Sequence, residues 1–555
     1  MLSEGMRKMY QRKSRMLGIA LGLMLLMGCT NLKLVLSPYA RVGDVPPQVL
    51  QNIRLDDLRQ IVAVLSSDSL EGRNTPSAGL EKAANFLARQ FSQAGLKTVP
   101  GAQGFFYPYR VVVKRFAGAP RAWLQTDTGA VEVEFDREFH LSLRHMAAQQ
   151  DTLAGIVFVG YAIKADSFQY DDFGDLPVEG KILFYYPGTP RDSTGRSRIS
   201  GRRRDWFASW REKLNRIHDL GAAGAVIIFP TDTAHSFAEE TRWMRIRERQ
   251  GLVSLPDTTK DIVFPVFYLA EDAAQRLFSA VGFDLRKARQ EIDATGKPHS
   301  KLFPLPVTWH WSYIQTRDTV TVYDVIGYLP GSDPDLAREA VFLSAHYDHL
   351  GELDTLIWHG ADDNASGTAI VVEVAKALAT GPPLKRSVVF LLVSGEEKGL
   401  LGSQAYTRHP LWPLDLTAAE INIDMVGRNA PDSIYVIGSD HLSRDLDMAV
   451  RIAAHRTPHL ELDYRYDDPR DPNRFYYRSD HYHFAENNVP SVFFFAGIHG
   501  DYHQPTDTMD KLNFNKLDKV AEMVGRLVTL LANTQQRPRL NGYEVVSGIS
   551  ASHND

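Results

Sequence analysis

From Thr319 onward, short apolar runs alternate with helical spacing, and this alternation limits the possible folds more than any other feature of the chain. Strands read at 321–328, 340–345, 388–394, 420–424, 434–437 and 491–496, and helices at 365–379, 442–455 and 514–533. A strand buried on both faces reads as an unbroken apolar run, and Val388-Val389-Phe390-Leu391-Leu392-Val393 is one. The expectation is an α/β fold, a mixed and mostly parallel sheet sandwiched by helices. In such sheets, residues far apart in sequence converge at the carboxyl ends of the strands.

Ligand-type residues fall at those ends. The strand at 340–345 runs into His346-Tyr347-Asp348-His349, the one at 388–394 into Gly395-Glu396-Glu397, the one at 420–424 ends on Asp424, and His499 and His503 follow 491–496. Gly360-Ala361-Asp362-Asp363-Asn364-Ala365-Ser366-Gly367 leads into the helix at 365–379, which sets an acidic turn at a helix N-terminus on the same rim. The chain has a single cysteine, Cys29, so a metal would be held by His, Asp and Glu. Such a donor set suits zinc above other ions. Two imidazoles and three carboxylates exceed what one catalytic zinc takes from a protein, but with one bridging carboxylate they serve two ions. Side chains of adjacent residues diverge, so one of Glu396 and Glu397 can bind metal while the other moves protons. Singly, each residue has a structural use: Asp362 and Asp363 could cap the helix, and Glu396-Glu397 could be a solvated turn. Their joint placement on strand-end loops argues for a metal site. His349, His359 and His499 read as rim histidines.

The rest of the chain has other textures. Leu55 to Leu96 is helically spaced, interrupted by the polar run Ser66 to Gly79. Apolar strands at 156–160, 180–186, 221–228 and 262–269, with a helix near 207–220, contain no tight cluster of His and carboxylates and read as a non-catalytic insertion over 116–312. The 62 basic residues against 67 acidic give a net charge of −5, which gives no support to a nucleic-acid partner. At the start, Arg7, Lys8, Arg12, Lys13 and Arg15 precede the apolar stretch Met16 to Met27, which is short of the ~20 residues a membrane span needs. It reads as a secretory signal ending at Leu26-Met27-Gly28-Cys29.

Together, His346-Tyr347-Asp348, Gly360 to Gly367, Gly395-Glu396-Glu397, Asn422-Ile423-Asp424-Met425 and Tyr502-His503 with Asp507-Thr508 resemble the co-catalytic zinc exopeptidases, which include bacterial leucyl aminopeptidases, aminopeptidase Y and glutamate carboxypeptidase. The resemblance implies two zinc ions: His346 and Asp424 on one, Glu397 and His503 on the other, Asp362 bridging, Glu396 as general base and Asp348 orienting His346. It implies an aminopeptidase acting on peptides with a free N-terminus; a carboxypeptidase or dipeptidase on the same fold, and a binding protein on a dead peptidase scaffold, are the alternatives. Tyr476 and Asp480 are candidates for the substrate pocket. Val159-Gly160-Tyr161-Ala162 and Gly221-Ala222-Ala223-Gly224 make the insertion similar to a protease-associated domain. The end of the signal resembles a lipobox, which implies lipidation of Cys29 and an exported protein anchored to a bacterial membrane, on the periplasmic side of the outer membrane or at the cell surface. The expected organisation is signal peptide 1–28, tether 29–47, peptidase domain 48–115 and 313–535 around the insertion 116–312, and a tail 536–555.

Overall fold

The computed structural model describes residues 37–143, 149–203, 205–231, 236–256, 264–468 and 470–542. Cys29 and the signal segment lie outside the described residues. Among the described residues, no helix is long and apolar enough to cross a membrane. The chain divides into two compact units, one reaching to Tyr109 and resuming at Thr321, the other Arg110–Val320. The insertion thus extends some residues beyond the expected 116–312 at each side, because both boundaries fall inside strands, Phe106–Phe116 and Thr308–Leu329.

The first unit is built on the part of strand β1 (Thr308–Leu329) from Thr321 onward, with β2 (Ala340–His346), β3 (Ser387–Val393), β4 (Thr417–Ile423), β5 (Ser433–Ile437), β6 (Glu461–Asp463) and β7 (Ser491–Phe495). Their order across the sheet is β1-β3-β2-β4-β7-β5-β6. The central strands β3, β2, β4 and β7 run parallel, while β1 is antiparallel to β3 and β5 to β7. Every residue of those four central strands is buried, the physical meaning of their unbroken apolar runs.

Helices α1 (Leu55–Leu65), α2 (Ala78–Gln93), α3 (Gly367–Ala379), α4 (Leu401–Arg408), α5 (Arg444–His455) and α6 (Phe514–Asn533) flank the sheet. α6 starts where the Asn513 side chain accepts the Lys516 N–H, and it turns Leu517, Val520, Val524, Leu527 and Leu531 into one core with α3 and with Val341 and Leu343 of β2. Burying each such side chain contributes about 1.5–3 kcal/mol. On the opposite face, Phe342 meets Tyr406 of α4 and Phe484, with ring centroids 5.8 and 5.5 Å away. The start of α3 is pressed against β4, since a Cβ on Gly367 would come 2.3 Å from the Ile423 carbonyl oxygen. That approach fixes the acidic turn before α3 at the carboxyl ends of the strands.

The second unit has its own sheet. Val266–Ala270, Gly224–Phe229, Ile182–Tyr185 and the 156–158 portion of Gln149–Val159 run parallel in that order, with Phe139–Leu141 and Ser300–Leu302 antiparallel at its two edges. A core of Phe158, Phe184, Phe267, Phe278 and Trp309 fills one side.

Candidate metal centre

Four strand ends and one helix start bring the polar residues together. His346 is the last residue of β2, Glu396 and Glu397 form the turn after β3, Asp424 follows β4, His503 lies beyond β7, and Asp363 sits in the turn before α3. His346 Nε2 lies 3.2 Å from Asp424 Oδ1 and 3.4 Å from Asp363 Oδ1. His503 Nε2 lies 3.2 Å from Asp363 Oδ2 and 3.3 Å from Glu397 Oε2. One carboxylate, Asp363, therefore faces a different histidine with each of its oxygens.

This corrects the expectation placed on Asp362. Its Oδ1 accepts the Gly427 N–H at 2.6 Å and its Oδ2 faces His499 Nε2 at 3.2 Å, away from both His346 and His503. The turn is held in this register by Asp507, which accepts the N–H groups of Asp362 and Asp363 at 3.0 and 3.1 Å, and by Asn364, whose Oδ1 accepts from Gly367 and Met425.

Other expected positions differ in detail. Asp348 is fully buried, but its Oδ1 is 3.7 Å from His346 Nδ1; its main-chain carbonyl is nearer, at 3.2 Å. Its carboxylate instead accepts the Glu396 N–H at 3.1 Å and the Thr75 hydroxyl at 3.0 Å, and so ties the loop after β2 to the loop after β3. Asp480 is fully buried, and Tyr476 packs at a tilt against His441 and edge-on to His481; neither lines the cleft. The neighbouring Phe475 and Arg478 do, with Met425, Phe493, Phe495, Ile498 and Tyr502. Of the three expected rim histidines, only His359 is at the rim, paired with Asp68. His349 and His499 are buried, beside Glu397 and Asp362 respectively.

Sequence reasoning missed three supports. Arg73 is fully buried and donates to the carbonyls of Leu65, Tyr347, His359 and Gly360, which fastens both ends of the segment between His346 and Asp363. Thr75 bridges Asp348 and the Gly395 N–H. Ser479 donates to Asp424 Oδ2 at 2.7 Å. Arg73 and Thr75 lie in the polar run that read only as a break between helices.

The electrostatics follow from burying several carboxylates beside two imidazoles. Burial opposes a charged His503, yet Glu397 and Asp363 raise its pKa to about 10. Burial also opposes ionisation of Asp363, yet hydrogen bonds from His346 and His503 hold its carboxyl at about 2. Glu397 is likewise held well below the usual carboxylate range against its burial, by His503 and His349. Glu396 goes the other way: burial pushes it well up, His346 opposes, and the carboxylates of Glu397, Asp424 and Asp480 add to the rise. One glutamate stays ionised and its neighbour takes up a proton readily, the division of labour a ligand and a base require.

The donor set fits zinc. Ligand atoms of His346, Glu396 and Asp424 lie within 4.8 Å of one another, as do those of His349, Asp363 and Glu397. Nitrogen and carboxylate donors converging with excess negative charge are what a divalent cation satisfies.

Residues 324–528 match the model of peptidase family M28. This segment is similar to the M28 peptidases. Among curated proteins, the chain is 28% identical over 211 residues to aminopeptidase YwaD of Bacillus subtilis, covering 36% of this chain and 43% of that one. It is 29% identical over 202 residues to a probable leucine aminopeptidase of Arthroderma otae, covering 34% and 54%. The chain thus spans about half the length of these relatives. An aminopeptidase from Aneurinibacillus sp. strain AM-1 shares the fold, with a TM-score of 0.54 at 19% identity over 92% of this chain and 99% of that one. The matched segment contains all five strand-end and helix-start positions described above.

Proposed function

We propose that the protein is a zinc aminopeptidase that works with two metal ions and removes N-terminal residues from peptides. The observation that carries this reading is the Asp363 carboxylate, one oxygen toward His346 and the other toward His503. His346 and Asp424 would hold one zinc, Glu397 and His503 the other, with Asp363 shared between them. When bound, such a pair polarises the scissile carbonyl and makes water a nucleophile near neutral pH. Glu396, half-buried at the cleft, takes the proton from the attacking water and returns it to the leaving amine. The cleft walls of Met425, Phe475, Phe493 and Phe495 exclude water and suit an apolar N-terminal side chain. Tyr502, stacked on His503 at 3.8 Å and within 3.3 Å of Arg478, sets a hydroxyl at the mouth of the cleft.

Arg478 also favours a second reading. A guanidinium in the cleft lining can pair with a substrate carboxylate, as a dipeptidase or carboxypeptidase requires. Leucyl and phenylalanyl anilides, their N-acetylated forms, dipeptides and C-terminal reporter peptides, each with and without a chelator, separate the two. Cleavage of free-amine anilides alone, abolished by chelator, supports the aminopeptidase; cleavage confined to substrates with a free carboxylate refutes it. For the lipid anchor at Cys29, the check is membrane fractionation: Cys29→Ser should release the protein into the soluble fraction, and unchanged attachment refutes it.

A further inference from the structure

His349 stands outside the ligand set proposed above, although its ring nitrogen lies within 4.8 Å of carboxylate oxygens of Asp363 and Glu397, and it is fully buried. Its Nδ1 lies 2.9 Å from Glu397 Oε1 and 3.8 Å from Asp363 Oδ2. Neither ring nitrogen makes a well-aligned hydrogen bond within the protein, and neither does Glu397 Oε1. The ring is held in place by its surroundings. Its backbone N–H donates to the Arg73 carbonyl, and the ring fills the space beside Gly360, where a Cβ would come 2.5 Å from His349 Cγ at a backbone φ of 57°. An imidazole packed this tightly is there for its nitrogen, because an unpaired buried polar group costs about 1–3 kcal/mol.

The other ligands show what such a neighbour does. Asp424 turns Oδ1 toward His346 while Ser479 holds its Oδ2, and His346 turns Nε2 inward while the Asp348 carbonyl faces its Nδ1. Glu397 repeats the arrangement: Oε2 faces His503, and Oε1 faces His349. We propose that His349 is a positioning residue for Glu397, its Nδ1–H donating to Oε1 so that Oε2 alone is presented to the metal nearer His503. A carboxylate oriented from behind loses less freedom on binding metal, an effect typically worth 10–100-fold in affinity.

This inference rests on the two-metal reading, and metal titration tests both. Protein stripped of metal is titrated with Zn²⁺ against a chromophoric chelator to obtain two stepwise constants. The wild type should bind two equivalents; a single equivalent refutes the two-metal reading and this inference with it. His349→Phe, which keeps the ring and loses the donor, should weaken one constant 10–100-fold and leave the other within about threefold. His349→Asn, whose amide nitrogen can occupy the place of Nδ1, should recover most of the loss. Unchanged constants in His349→Phe, an equal loss in both, or no recovery in a folded His349→Asn would each overturn the proposal. The last result would mean that the imidazole binds metal directly. Circular dichroism of each variant separates these outcomes from misfolding; where one does not fold, His349→Leu, which also lacks a donor, replaces His349→Phe, and His349→Gln, with a longer amide, replaces His349→Asn.

Discussion

Neutralising one of two adjacent aspartates at a time tests the site's architecture directly. Asp363→Asn keeps the shape of the side chain but removes the charge shared between His346 and His503, 3.4 and 3.2 Å from its two oxygens. Loss of a bridging carboxylate should forfeit several kcal/mol of transition-state stabilisation, and about 4 kcal/mol corresponds to a fall of about 10³ in kcat/KM. Asp362→Asn should behave differently, because its amide oxygen can still accept the Gly427 N–H that Asp362 Oδ1 accepts at 2.6 Å, and its NH₂ faces His499 Nε2. Activity should stay within about threefold, with about 1 kcal/mol of stability lost. Asp362→Ala strands that buried N–H, so it should cost about 1–3 kcal/mol, or roughly 2–10 °C in Tm. The assay is leucyl-anilide hydrolysis paired with zinc content and thermal unfolding for all three variants. If Asp362→Asn abolishes turnover and zinc binding while Asp363→Asn stays within tenfold of wild type, the assignment of the bridge is wrong.

Three further substitutions probe other links. Glu396→Gln should keep two zinc equivalents while kcat falls about 10²–10⁴-fold, and retained turnover removes Glu396 as the base. Arg73→Met leaves the Leu65, Tyr347, His359 and Gly360 carbonyls without their donor, so unfolding in denaturant should show a loss of more than about 3 kcal/mol. In the inserted unit, His140 is buried between Asp136 Oδ1 at 2.8 Å and Glu248 Oε2 at 3.0 Å; burial opposes its charge, but the two carboxylates win and raise its pKa above 6.5. With the folded pKa raised, its stabilisation is fully present below pH 6.5 and is lost as pH rises through the folded value. Tm measured across that window should fall for the wild type by more than for His140→Gln; parallel curves refute the pairing.

The sheet was legible because four strands buried on both faces leave an unbroken apolar trace that no amphipathic helix leaves. The rim was legible for the same reason, since wherever such a run stops, its next polar residue stands at a strand end. Short elements were not: α4 spans only Leu401–Arg408 between a glycine-rich turn and His409, too few residues to show a period. The limits of the insertion were obscured because Phe106–Phe116 and Thr308–Leu329 continue as strands through both boundaries, so that neither composition nor periodicity changes there.

At the site, the errors share one cause. Asp362 and Asp363 are chemically identical neighbours, and which of them faces the histidines is decided by groups remote in sequence: the Asp507 carboxylate that takes both of their N–H groups, and the Gly427 N–H that draws Asp362 away. The same holds for Phe475 and Arg478 against Tyr476 and Asp480, where a single short turn between Phe475 and Tyr477 determines which side chains reach the cleft and which pack behind it. A motif therefore fixes which residue types a site contains, while the assignment of roles between neighbours belongs to tertiary hydrogen bonds. His349 is the sharpest case. Read alone, it is one more histidine near a rim; its burial beside Gly360, with Nδ1 2.9 Å from Glu397, makes it part of the metal centre.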